Sequence, residues 1–160
     1  MHLIIGKETC SMPLMKVKAE AKLLEGVKVK AKARKFEVNI DEPEELGGTD
    51  TAMNPVELLL CSLGACQAIA ARTFAKKLGV EMKDFWVEVE GDLNTDGFMG
   101  KEGVRPGFSE IRYNFHIDTA EPREKVEKFV KYLEEHCPVG DSLANGVTLK
   151  LASLNIEGSR

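Results

Sequence analysis

The segment from Asn54 to Leu78 constrains this chain more than any other. Asn54 suits a helix N-cap and Pro55 the first helical position. Glu57, three residues after the cap, completes the pattern of a capping box. Gly79 supplies the stop. The helix predicted between them is apolar nearly all round, from Val56 and the run Leu58-Leu59-Leu60-Cys61 through Leu63 and Cys66 to Ile69. A helix without a polar face needs cover on most sides. At 160 residues the chain amounts to one domain by length, and a lone domain of that size struggles to wrap such a helix. Two copies meeting across it would cover both, so a twofold homodimer is expected. Replacing Leu59 or Leu63 with Asp should then abolish folding or assembly.

Strand patterns surround the helix. Val17, Ala19, Ala21 and Leu23 alternate with charged residues, Glu25-Gly26 makes a turn, and Val27, Val29, Ala31 and Ala33 alternate again. The apolar set then shifts to Phe36, Val38 and Ile40, which predicts a bulge or tight turn at Arg34-Lys35. Residues 41–53 read as an acidic loop. After the helix, a strand over 84–92 turns Phe85, Val87 and Val89 to one face, and a strand over 108–117 does the same with Tyr113, Phe115 and Ile117. The connection 93–107 holds four glycines with Phe98, Met99 and Val104. It reads as a plain hairpin link or as an apolar lid admitting a greasy substrate. A second helix is predicted over 121–137, ended by Pro138, and a last strand over 147–156. Residues 1–14 show no period and are taken as a lead segment, with a single domain over 15–160. The order predicts an α+β fold of antiparallel strands with two helices packed on them.

Composition narrows the function classes. A net charge of −4 with mixed signs leaves no basic face for nucleic acid. No run of 18 apolar residues and no signal-peptide pattern occurs, so no membrane span is expected and the default compartment is the cytoplasm. The four cysteines are then reduced thiols unless they perform redox chemistry. They contain no Cys-x-x-Cys, and Cys61 and Cys66 stand about 140° apart around one helix, so no metal site is expected. No cofactor is implied.

Cys66, inside the apolar helix, and Cys137, at the predicted end of the second, are the candidates for chemistry. Free cysteine also packs as a small hydrophobe, and a dry helix interior raises a thiol pKa. Either reading fits the residues alone.

The context of the two cysteines resembles the OsmC/Ohr family, the osmotically inducible and organic hydroperoxide resistance proteins. Eleven residues separate Pro55 from Cys66 in Pro55-Val56-Glu57-Leu58-Leu59-Leu60-Cys61-Ser62-Leu63-Gly64-Ala65-Cys66. The second cysteine stands in Cys137-Pro138-Val139 ahead of a closing segment, and Asp41 to Asp50 resembles the loop of members with the Glu-Leu-Leu-Leu variant. The resemblance covers residues 16–157 and implies an OsmC-like, intertwined dimer. It implies a thiol peroxidase in which Cys66 attacks a small organic hydroperoxide, Cys137 resolves the sulfenic acid as a disulfide, and a dithiol reductant restores both. The alternative is a non-peroxidatic member that binds or carries a small apolar or sulfur-containing ligand.

Two positions depart from the reductases of the family. Val56 stands where they carry glutamate, with Glu57 one place later. No arginine occurs between residues 35 and 71, where they place the arginine that holds the thiolate. Arg34 is the first candidate for that role and Arg105 the second. Glu57 lies nine residues before Cys66, which puts it about 13 Å away and on the opposite side of one helix. It reaches a Cys66 thiol only from a partner subunit.

Overall fold

The computed structural model describes residues 14–156 and 158. The lead segment read over residues 1–14, with Cys10, lies outside the described residues apart from Leu14. The chain divides into two compact units, Met1–Pro55 and Val56–Arg160.

The first unit is an antiparallel meander of β1 (Glu20–Leu23), β2 (Val29–Ala33) and β3 (Phe36–Ile40), in that order. Ala33 pairs with Phe36, so the expected phase break at Arg34-Lys35 is a two-residue turn, with Arg34 at φ 57°. The loop after β3 opens on a 3-10 turn over Glu44–Leu46 and is folded around Asp41. That buried carboxylate accepts hydrogen bonds from the backbone N–H of Glu42, Thr49 and Thr51 and from both threonine hydroxyls. The Thr49 hydroxyl is the largest of the influences that hold Asp41 well below the usual carboxylate range. Each donor favours the charged form, so the loop keeps its geometry while Asp41 is ionised and loses this contribution in acid.

The second unit carries α1 (Pro55–Leu78), the hairpin of β4 (Asp84–Asp92) and β5 (Glu110–Asp118), α3 (Arg123–Glu135) and α4 (Pro138–Asn145), with a single helical turn α2 (Thr95–Phe98) inside the β4–β5 connection. α1 ends as its sequence predicts. Gly79 adopts φ 64° and the Val80 N–H donates to the Ala75 carbonyl at 2.9 Å, closing a Schellman motif. The hairpin register pairs Phe85 with Ile117, Val87 with Phe115 and Val89 with Tyr113. Its apolar face meets the helices, and a core of Ala70, Ala71, Ala75, Val80, Phe129 and Leu133 forms there, with Phe85, Phe115 and Ile117 packed against it. Small residues on α1 allow that approach. A Cβ added to Gly64 would stand 3.4 Å from a methyl of both Val87 and Val89. The opposite face of the hairpin carries Trp86 stacked on His116, and Arg112 bonded to Glu90, Asp92 and Glu110.

Two sequence expectations need correction. The second helix stops at Glu135 rather than 137, and Pro138 begins α4 instead of simply ending a helix. Proline is as suited to a first helical position as it is hostile to an interior one, and here the first role governs. No strand forms over 147–156. Val147, Leu149, Leu151, Leu154 and Ile156 are all well exposed there, because alternation makes a strand only where an edge is available to pair with it. On the single chain α1 is covered on one side only. Leu63, Gly64, Gln67, Ala70, Ala71 and Ala75 are buried, whereas Ile69 is 69% exposed. By length and composition α1 would suffice to cross a membrane; in this fold one of its faces lies against β4.

Candidate thiol site

The bend between α3 and α4 brings Cys137 against α1. The helical ladder of α3 ends at His136, whose N–H donates to the Leu133 carbonyl. Cys137 is extended (φ −90°, ψ 106°) and caps α4, its sulfur accepting from the Gly140 N–H at 3.4 Å. Gly140 packs closely there: a Cβ added to it would make ordinary contact with the Cys137 sulfur at 3.4 Å and Leu63 Cδ1 at 3.8 Å. The capping conformation aims the side chain at α1. The two sulfurs, 71 residues apart in sequence, stand 3.3 Å apart, with the Cys137 S–H donating to Cys66 Sγ.

The two thiols differ in environment. Cys137 is 2% exposed and Cys66 is half-buried. Burial pushes the Cys137 thiol above its ordinary value, outweighing the help of the Gly140 N–H. Closing a contact of 3.3 Å to a disulfide of about 2.05 Å needs a side-chain adjustment of little more than an ångström. The arrangement can therefore exchange two electrons between a reduced pair and a disulfide without rebuilding the fold.

Beside Cys137 lies a cavity of about 710 Å³, which Cys66 adjoins through that residue rather than lining it. One stripe of α1 supplies Val56, Leu59, Leu63 and Gln67, and Cys137 lines it from the other side. Its lining also carries charged side chains, Arg105 among Glu110, Glu134, Glu135 and Asp141. The Tyr113 hydroxyl donates to Glu134 Oε1 at 2.8 Å, and desolvation first, then Glu134, pushes the phenol up to about 12. Arg105, from the β4–β5 connection, also lines the cavity, and no hydrogen bond or ion pair engages its guanidinium among the described residues. The connection is held tightly there, because Gly97 packs where a Cβ would meet the Arg105 carbonyl. Among the described residues no three His, Cys, Asp or Glu side chains cluster as metal ligands.

Of the residues singled out from sequence, Cys66 and Cys137 are brought together. Glu57 lies exposed in the first turn of α1, on the far side of the helix from Cys66. Arg34 belongs to the first unit, with its guanidinium 4.9 Å from the centre of the Phe36 ring. Arg105, the second-choice arginine, shares the cavity with Cys137. Sequence reasoning missed Tyr113, Glu134 and Gln67. The first two carried no signal beyond their place on a strand and a helix. Gln67 did carry one: it is the sole glutamine of the chain and follows Cys66 inside an apolar helix.

Comparison with known proteins bears on the family and the fold. The family model described as "OsmC-like protein" matches residues 48–152. The chain is 27% identical over 123 residues, 75% of its own length and 80% of the other's, to the uncharacterized protein YmaD of Bacillus subtilis. Among solved structures it is similar to an OsmC-like protein from Mycoplasma pneumoniae, with a TM-score of 0.73, 21% identity and coverage of 82% of this chain and 89% of that one. A Legionella pneumophila structure, described as an organic hydroperoxide resistance protein OsmC and predicted redox protein, gives 0.63 at 23% identity, over 82% and 91% of the two chains.

Proposed function

The chain belongs to the OsmC-like family, and from that premise we propose that it reduces organic hydroperoxides through Cys66, with Cys137 as the resolving thiol. The observation that carries the reading is the 3.3 Å approach of two sulfurs from different elements beside a largely apolar cavity. The Cys66 thiolate attacks the terminal oxygen of ROOH. A sulfur–oxygen bond forms, the oxygen–oxygen bond breaks, and the alkoxide takes up the proton that the Cys66 thiol gave up, leaving as alcohol. Cys137 then attacks the sulfenic acid, expelling water and forming the disulfide. An external dithiol restores both thiols and leaves as its own disulfide.

Cys137 is the poorer nucleophile of the two, since burial keeps its proton in place, and this supports Cys66 as the attacking sulfur. Arg105 is the cation that the cavity offers to the departing oxygen, while Arg34 remains the candidate from the first unit. The competing reading, a non-peroxidatic binding or thiol-carrier protein for a small apolar or sulfur-containing ligand, draws on Val56 in place of the expected glutamate. The two are separated by titrating the reduced protein with cumene hydroperoxide and with hydrogen peroxide. The expected result is loss of two thiols per chain, faster with the cumyl compound, and a peptide map showing Cys66 joined to Cys137. Retention of both thiols, with no turnover in the presence of a dithiol, sinks the peroxidase reading in favour of the ligand carrier.

The working form is inferred to be a homodimer. Ile69 and Leu59 on α1 and the apolar side chains over 147–156 are exposed on one chain, and a second copy is the partner that would cover them. In that assembly Glu57 serves the Cys66 thiol of the other subunit. Sedimentation should give a dimer down to micromolar concentration; a stable folded monomer there would remove both the assembly and the role of Glu57.

A further inference from the structure

Among the described residues, two polar side chains are buried, Asp41 and Gln67. Asp41 is saturated with hydrogen bonds. Gln67 is 2% exposed, and its Oε1 has no partner. Buried polar groups are nearly always paired, so an orphan of this kind asks what completes it. The answer lies in its position. Gln67 lines the cavity shared with Cys137 and Arg105, it follows Cys66 directly in sequence, and its neighbours on the same stripe of α1 are the apolar Leu63, Leu59 and Val56. As the amide stands its Oε1 is shut off from that space, and a half-turn of the terminal amide exchanges it with the NH2 group and presents it there. An apolar side chain of similar length would fill the site with no orphan left behind.

We propose that the Gln67 amide is the hydrogen-bonding position for the hydroperoxide group itself, a substrate-binding residue that orients the oxygen–oxygen bond for Cys66. The inference rests on the peroxidase reading given above. A hydroperoxide carries one O–H, on the oxygen that the thiolate attacks. That O–H donates to the Gln67 carbonyl oxygen and holds the terminal oxygen near Cys66, whose sulfur is 3.3 Å from the cavity-lining Cys137. The second oxygen is left toward Arg105, whose guanidinium no hydrogen bond or ion pair engages among the described residues. When the bond breaks, the hydroxyl remains on sulfur as the sulfenic acid, so Gln67 keeps the same partner through the step. A neutral amide paired with one O–H selects an uncharged hydroperoxide with an apolar body, in keeping with the leucine-rich wall.

The test uses full-length protein carrying Gln67→Met, which keeps length and removes hydrogen bonding. Three quantities are compared with the wild type: the urea midpoint, the rate constant for oxidation by cumene hydroperoxide, and the rate of Cys66 alkylation by iodoacetamide. A substrate-binding role predicts a midpoint at or above the wild type, because an unsatisfied buried amide has been removed. It predicts oxidation slowed roughly tenfold, the worth of one hydrogen bond, and alkylation unchanged. A lower midpoint, unchanged oxidation, or a parallel fall in oxidation and alkylation overturns the proposal and makes Gln67 a structural residue. A wild type that is alkylated normally but not oxidised by any hydroperoxide removes the peroxidase reading, and the role of Gln67 with it.

Discussion

Cys137→Ser is expected to consume about one equivalent of cumene hydroperoxide per site and then stop, whereas Cys66→Ser consumes none above background. The difference follows from which sulfur receives oxygen. With Cys137 gone, Cys66 still attacks the peroxide, but its sulfenic acid has no thiol at 3.3 Å to expel the hydroxyl. It should accumulate and be trapped by dimedone on the peptide containing Cys66. With Cys66 gone, the remaining thiol of the pair is 2% exposed and held protonated by burial, so neither access nor ionisation favours it. The same burial gives the wild type a pH signature. Disulfide closure needs the Cys137 thiolate, and its pKa lies above the ordinary thiol value of 9.0. At neutral pH the thiolate is the minor form, and each unit of rising pH multiplies it roughly tenfold until the raised pKa is passed. Sulfenic acid should therefore be longest-lived toward neutrality and vanish fastest in alkali, as read by stopped-flow with dimedone competition. Dimedone labelling of Cys137 in the Cys66→Ser protein would reverse the assigned roles.

The residues alone leave both cysteines open between core packing and redox work; the resemblance of their contexts to the OsmC/Ohr family singles them out, and local signals place the helix that carries Cys66. Asn54-Pro55 and Gly79 mark the ends of α1 in sequence, and the helix spans Pro55–Leu78. Its length fixes where Cys66 falls. The strands 84–92 and 108–117 were legible for the same reason: alternation with period two survives whenever one face meets a core. The segment 147–156 shows the limit of that signal. Val147, Leu149 and Leu151 alternate as well as Val87 and Val89 do, but alternation records what a side chain needs, not whether a partner strand is present.

The site was legible only as two isolated residues. Periodicity placed Cys137 as a last helical residue. Pro138 instead starts α4, and the extended backbone between the helices is what turns the Cys137 sulfur toward Cys66. Arg34 was preferred for nearness in sequence, and sequence distance carries little information about a hairpin connection. Arg105 lines the cavity from the β4–β5 turn region, 39 residues beyond Cys66 by number. Gln67 was hidden for another reason. One polar residue on a helix otherwise read as apolar all round looks like noise, and becomes informative only when burial shows that nothing bonds it.

The largest loss of stability should come from α3 rather than from the site. Phe129 and Leu133 are 1% and 0% exposed, one helical turn apart. They face Ala70, Ala71 and Ala75 of α1, whose small side chains bring the two helices close. Neighbours so small cannot spread to refill a lost ring. Phe129→Ala should therefore cost about 3–5 kcal/mol, a large share of a net stability of about 5–15 kcal/mol for a domain. Leu133→Met keeps volume and should cost less than about 1.5 kcal/mol. Phe98→Ala, at a position 76% exposed, should change stability by no more than about 0.5 kcal/mol. Urea titrations of the three proteins test that order. The same series joins packing to chemistry, because the last turn of α3 accepts the His136 N–H and so sets where Cys137 stands. In Phe129→Ala, hydroperoxide should still oxidise Cys66, while closure to the disulfide slows as α3 loosens on α1. An unchanged closure rate in that variant would mean that α4 and its Gly140 contact, not the seating of α3, hold the sulfurs together.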